Sequence, residues 1–247
     1  MLKLKNTLII IGFLFLSFNL LSQNSLQSGC VVYNIKMNPK QSVKNIQGSR
    51  GFHQMRKKME NVFPKLKFTL RFDRNESIFF MNPNLEIDGK EFLNKLAIIA
   101  TRGESKFFIN KNEKLVLEQK SYFGEDFLVK FSTDDLKWTL INEKKIIGKY
   151  TCYKAAVKRV NSGPLKKGEK FSTYIAWYCP DIPFNFGPYE FTALPGLILE
   201  LSNDHIIYTA SIIKLSKEET KIERPSQGKL ITKEEFEGIG KKAFENR

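Results

Sequence analysis

The chain has 247 residues, a formal net charge of +14, 13% aromatic residues and three cysteines. This length can bury a core as one domain, which excludes a small scaffold that depends on metal or disulfide support. A basic balance is compatible with nucleic acid, anionic membrane surfaces or acidic glycans, but the lysines are spread along the chain and do not form one block.

The N-terminus has the order of a secretory signal. Two lysines precede an apolar run over residues 8–21, and Ser22 follows it. We expect residues 1–22 to be a signal peptide and residues 23–247 to be a single exported domain, periplasmic or secreted, so nucleic acid is not an expected partner. Contact with an anionic surface stays open. A membrane anchor is disfavoured because the run is shorter than roughly 20 residues, and lipid attachment at Cys30 because polar residues precede it.

Short apolar runs alternate with turn signals along the rest of the chain, which is typical of antiparallel β structure. Eleven strands are predicted: Cys30 to Met37, Lys67 to Phe72, Ser77 to Met81, Lys106 to Ile109, Leu115 to Gln119, Asp126 to Phe131, Lys137 to Ile141, Lys149 to Val160, Lys170 to Cys179, Leu197 to Leu201 and His205 to Leu215. The predicted fold is mainly β (α+β), with a single curved antiparallel sheet or a half-open barrel.

Helical spacing of apolar residues interrupts this pattern in two or three places. One amphipathic helix is predicted between Gly51 and Phe63, and a capping box at Thr232 predicts a C-terminal helix over 232–246. Residues 91–97 predict a third short helix, although the sequence AIIA directly after it fits a strand equally well. A curved sheet that wraps one or two helices is similar to the fold of periplasmic lipoprotein carriers. This analogy concerns the fold alone and favours a concave apolar face.

Two cysteines are predicted to face each other across a hairpin. If residues 149–160 pair with residues 170–179, opposed positions have numbers that sum to about 331, as Cys152 and Cys179 do. Opposed Cα atoms lie about 4.5 to 5.5 Å apart, within reach of a disulfide. We therefore predict this bridge in an oxidising compartment, with Cys30 left over. The alternative is a slipped register with free buried thiols.

A loop rich in proline and aromatic residues follows the second of these strands. Its proline content is too high for a central strand. We therefore expect an ordered loop that either packs inward as a lid or exposes its aromatic rings as a contact surface. This candidate ligand or partner loop comprises Pro180, Ile182, Pro183, Phe184, Phe186, Gly187, Pro188 and Tyr189.

A second turn signal, interpreted as structural, comprises Leu194, Pro195, Gly196, Leu197 and Ile198. Proline at the first central position and glycine at the second predict a type II turn. The run LILEL should then alternate, with Leu197, Leu199 and Leu201 on one face of a core strand.

A set of aromatic, glycine, proline and apolar residues recurs through residues 138–201: Trp138, Ile147, Gly148, Tyr150, Cys152, Lys154, Ala155, Ala176, Trp177, Tyr178, Ile182, Pro183, Gly187, Pro188 and Leu194 to Ile198. With these residues the segment resembles the GLPGLI family of secreted proteins, found mainly in Bacteroidota and without an established general role. Ala193 stands where the family name has glycine. Alanine resists positive φ, so this residue should adopt ordinary backbone geometry or the turn should be slightly strained.

Groups for catalysis are sparse in the sequence. Neither His53 nor His205 has a second metal ligand at a recognisable spacing, and no G-x-S-x-G element occurs. No metal or cofactor is expected. We therefore expect a non-enzymatic exported protein that binds a hydrophobic ligand or an envelope protein through a concave β face and the loop 180–188. The alternatives are an envelope-acting hydrolase with an unrecognised site, or a structural component of an outer-membrane system.

Overall fold

The fold is taken from a computed structural model, which describes residues 25–39, 50–83, 91–134, 136–160 and 171–245. In this part of the chain no helix has the length and apolar character needed to cross a membrane.

Twelve strands lie within the described residues. Their bounds are β1 Ser28–Met37, β2 Lys67–Phe72, β3 Glu76–Met81, β4 Lys106–Asn110, β5 Leu115–Tyr122, β6 Glu125–Ser132, β7 Thr139–Ile147, β8 Tyr150–Val160, β9 Phe171–Cys179, β10 Leu197–Ser202, β11 Ile206–Ser216 and β12 Lys229–Thr232. All twelve form one sheet in the order β12-β6-β5-β4-β3-β2-β1-β11-β10-β9-β8-β7.

Almost all neighbouring strands are antiparallel, because short hairpins connect most of them. The central strand β1 pairs with β2 on one side and β11 on the other, so the two halves of the chain meet there. β12 is the exception: it runs parallel to β6, with Ile231 opposite Val129. No strand was predicted from the sequence at the position of β12.

Three α-helices accompany the sheet in the described ranges: α1 Arg50–Val62, α2 Phe92–Ala100 and α3 Lys233–Glu245. A short 3₁₀ turn containing Pro64 follows α1. The run AIIA lies inside α2, so its strand interpretation was wrong. At the start of α3, Thr232 and Glu235 bond reciprocally to each other's backbone N–H at 3.2 and 2.7 Å, which is the predicted capping box.

The sheet curls until its two ends face each other. Lys158 and Arg159 of β8 line the same cleft as Lys130 and Phe131 of β6, although β8 lies next to one edge of the sheet and β6 next to the other. The edge strands β7 and β12 do not pair with each other in the described structure. The mainly β, half-open architecture predicted from the sequence is thus confirmed.

Candidate functional site

The loop after β9 packs into the core. Ile182 and Phe186 are fully buried, and Phe184 is almost so; the rings of Phe184 and Phe186 both lie against Phe72 of β2. Pro180 and Pro183 are exposed. Of the two arrangements expected for this loop, the structure has the inward one, and its role in binding stays a prediction.

Backbone hydrogen bonds tie this loop to the strand that follows it. The N–H of Leu197 donates to the carbonyl of Ile182 at 3.0 Å, and the N–H of Ile198 donates to that of Phe186 at 2.9 Å. A Cβ on Gly187 would lie 2.6 Å from the Ile198 side chain, so only glycine fits this contact. The loop and the LPGLI segment therefore form one packed unit.

The turn at Pro195 is not the predicted type II turn. A type II turn would be closed by the N–H of Leu197, but that group is bonded to the loop. The N–H of Gly196 donates instead to Leu194 at 2.8 Å, and Gly196 has φ +147°. The predicted alternation is also wrong: the register shifts between Ile198 and Glu200, so Ile198 is fully buried like Leu197.

Ala193 has φ +69°. This left-handed conformation costs an alanine about 1 kcal/mol more than a glycine. Of the two outcomes expected at this position, the strained turn is observed. The positive φ gives a physical reason for the glycine at the matching position of the GLPGLI motif.

The register predicted around the cysteines is correct. Tyr153 lies opposite Tyr178, and each of these tyrosines is the chain neighbour of one cysteine. Both cysteines are free thiols in the structure and do not lie at disulfide distance, so the bridge between them stays a prediction. Burial, together with the neighbouring thiol, raises the pKa of Cys152 to about 12.

A group of charged side chains fills the space between the loop, α2 and the sheet; we call it the charge network, and it consists of Arg102, Glu118, Lys120, Arg159 and Glu190. Glu118, on β5, accepts from Arg102 at 2.8 Å and from Lys120 at 3.1 Å. Ser105 also donates to it, at 2.9 Å. Burial alone would raise the pKa of Glu118, but the two cations outweigh it and lower that pKa to about 2. Glu118 is therefore ionised at any physiological pH.

Glu190, which directly follows the loop, is shared by two arginines. Its carboxylate lies 3.5 Å from Arg102 and 3.6 Å from Arg159. The guanidinium of Arg102 also lies 4.4 Å from the centre of the Phe107 ring. Three cations thus share two carboxylates, which leaves the charge network with one excess positive charge.

Arg102 of this network and its neighbour Tyr189 have unusual backbone geometry. Arg102 has φ +47° and Tyr189 has φ +58°, and the guanidinium of Arg102 lies over the Tyr189 ring. The Tyr189 hydroxyl donates to the Thr101 carbonyl at 2.8 Å and also contacts the Tyr208 hydroxyl. Burial raises the pKa of both phenols. Such strain persists only where surrounding contacts hold it, and it concentrates at functional sites.

The charge network reaches an open cleft of about 920 Å³ between the two ends of the sheet, which we call the end cleft. Its lining residues come from the β4–β5 turn, β5, β6 and the segment after it, β8, the end of β12 and the start of α3: Glu113, Lys114, Leu115, Lys130, Phe131, Ser132, Asp134, Lys158, Arg159, Thr232, Lys233, Glu234 and Glu237. Arg159 belongs to both the cleft and the network. The end cleft, with the charge network behind it, is the candidate functional site.

None of the predicted site residues lines this cleft. His205 is exposed at the β10–β11 turn, where its backbone N–H donates to Asn203, and His53 lies on α1. Across the described ranges no group of three or more His, Cys, Asp or Glu side chains could hold a metal ion. Glu190 directly follows the predicted loop, and this proximity was the one signal in the sequence that could have pointed to the network.

Comparison with known proteins supports the fold but assigns no activity. A family described as "Protein of unknown function (Porph_ging)" matches residues 161–200. Two crystal structures of PNGF-II, in space groups C2 and P2₁, superpose with a TM-score of 0.51 each, at 13% and 14% identity, over 86% and 87% of this chain. The chain spans about a third of the PNGF-II chain, 32% and 33%. A search of curated proteins finds no match.

Proposed function

We propose that this chain is an exported, non-enzymatic binding protein whose ligand or partner occupies the end cleft. The observation that carries the proposal is the convergence of β6, β8 and α3 on one charged cleft at the opening of the curled sheet. Ligand sites are concave and have a few fixed polar groups that orient the ligand.

The ionisation state of the charge network favours binding over proton transfer. A general acid or base works best when its pKa lies near the working pH, whereas the cations hold the pKa of Glu118 at about 2. Burial raises the pKa of Tyr189 well above its ordinary value, so its phenol stays neutral. Fixed charges and neutral phenols orient a ligand but do not exchange protons with it.

The loop fills apolar space on the inner face of the sheet, and this packing restricts the kind of ligand that can bind there. Phe184 and Phe186 already occupy the apolar space against β2, so a hydrophobic ligand at this place would have to displace the loop. A polar ligand or an envelope protein partner needs no such displacement at the end cleft. In this proposal the loop contributes to binding indirectly, because it positions Glu190 against Arg159.

We also propose that the chain is an exported GLPGLI-type protein. The match of residues 161–200 to the Porph_ging family and the glycine-like φ of Ala193 support this assignment. Export predicts that the mature chain begins near Gln23. N-terminal sequencing of protein from the periplasm or medium of the source cells tests it, and an intact Met1 in that fraction would contradict export.

Site-specific photo-crosslinking in cells tests the binding site. A benzophenone amino acid at Ser132, an exposed residue of the end cleft, should give a discrete adduct with the ligand or partner. The same amino acid at Lys36, exposed on β1, is the control and should give none. Equal adducts from both positions, or none from Ser132, would refute the proposed site.

A further inference from the structure

We propose that the end cleft recognises a small ligand that carries two or more negative charges, as carboxylates or phosphates. This inference deepens the proposed function and rests on it. It follows from three observations: the charges that line the cleft, the pairs those charges already make, and the incomplete neutralisation of Arg159 by Glu190.

The lining of the end cleft has five basic and four acidic side chains, but the acids are more completely paired. Asp134 contacts Lys114 at 3.3 Å. Glu113 accepts from Arg224, which lies outside the lining, at 2.9 Å. With these pairs and the Arg159–Glu190 pair set aside, Lys130, Lys158 and Lys233 face two carboxylates, and the balance in the cleft is positive.

The remaining carboxylates are those of Glu234 and Glu237, in the first two turns of α3. Acidic side chains at the start of a helix compensate its positive end, and this compensation leaves less negative charge to neutralise the cleft. On the opposite wall, Lys158 is exposed and makes no ion pair with any residue that the structure describes. It is therefore available to a ligand.

Arg159 is only partly neutralised by its own partner. It approaches Glu190 at 3.6 Å, and Arg102 competes for the same carboxylate at 3.5 Å. A bound carboxylate or phosphate would give Arg159 a partner of its own, with the two-pronged geometry that guanidinium groups favour. Because successive strand residues project to opposite faces, one anionic group would match Arg159, and a second would match the exposed lysines Lys130 and Lys158 at the rim of the cleft.

Isothermal titration calorimetry on the mature protein at low salt tests this inference with defined probes. These are inorganic tripolyphosphate, trigalacturonate, and the neutral trisaccharide maltotriose, which matches trigalacturonate in size, as the control. We expect binding of at least one anionic probe and none of maltotriose. Phosphate or carboxylate preference is then decided by which probe binds more tightly.

A pair of double variants with equal net charge locates the binding. Lys130→Ala with Lys158→Ala, in the end cleft, should weaken binding of the anion roughly threefold to tenfold, because exposed ion pairs each contribute modestly. Lys36→Ala with Lys214→Ala removes the same charge from other strands and should leave affinity unchanged. Equal thermal melting of both variants checks their folding.

Three results would overturn the inference: no binding of either anion, equal binding of maltotriose, or equal weakening by the two double variants. These outcomes differ from failure of the proposed function. A discrete adduct at Ser132 without anion binding would keep the end cleft as a binding site and reject only the charge of its ligand.

Discussion

Replacement of Glu118 by glutamine should destabilise the protein more than any exposed charge substitution. The side chain is 5% exposed and accepts from Arg102, Lys120 and Ser105. Glutamine has nearly the same shape but removes the negative charge between two cations. The substitution leaves Arg102, whose side chain is 40% exposed, and Lys120, at 21%, with less compensation, and breaking ion pairs to a buried carboxylate is costly.

The pKa of Glu118 sets the size of this effect and its dependence on pH. It falls from an ordinary 4.5 to about 2 in the folded protein, and a shift of about 2.5 units corresponds to about 3 kcal/mol. Because the folded pKa is the lower one, this stability is fully present above pH 4.5 and is lost as the pH falls towards 2. By pH 3 less than about half of it should remain.

Urea denaturation of wild type and Glu118→Gln at pH 7 and pH 3 measures the prediction. The two free energies of unfolding should differ by about 3 kcal/mol at pH 7 and by less than about half of that at pH 3. Glu143→Gln is the control, since its ion pair with Lys154 is exposed and should contribute under about 1 kcal/mol. A constant difference between wild type and Glu118→Gln at both pH values would refute the reasoning.

Three further predictions concern the hairpin and the turn. Protein isolated from an oxidising compartment should contain a Cys152–Cys179 disulfide, detected by non-reducing peptide mapping, and its reduction should lower stability by about 2–4 kcal/mol; free thiols at both positions would contradict this. Ala193→Gly should raise stability by about 1 kcal/mol because it relieves a positive φ. Gly196→Ala should lower it by at least about 2 kcal/mol because its Cβ would overlap the Cys179 carbonyl. Urea denaturation distinguishes the two, and a loss of stability in Ala193→Gly would contradict the assigned strain.

The antiparallel strands could be predicted because their pattern is local. Each of the eleven predicted strands is present, and the β8–β9 register followed from the turn between two alternating runs. The end of β7 was missed: it was predicted to stop at Ile141 but continues to Ile147. The register shifts between Ile141 and Lys144, and exposed charged residues on this edge strand hide the alternation that marks a strand.

Pairings between distant parts of the chain could not be predicted from such patterns. β12 has only four residues, and its partner β6 lies about a hundred residues earlier, so neither a turn nor a long alternation indicates the pairing. The prediction of a type II turn over Leu194 to Leu197 was wrong for a related reason. Pro195 and Gly196 fit a type II turn by themselves, but the N–H that would close it is bonded to Ile182 in the preceding loop.

The charge network shows why the candidate site was missed while the fold was not. Glu118 projects from β5, Arg159 from β8, and Arg102 and Glu190 lie 88 positions apart. These side chains meet only because the sheet curls, so no spacing in the sequence marks them. The predicted loop still matters to this site, because its buried rings fix the backbone that places Glu190 between the two arginines. The proposed binding role of the end cleft therefore depends on the packing of the loop, because that packing places Glu190 against Arg159, which lines the cleft.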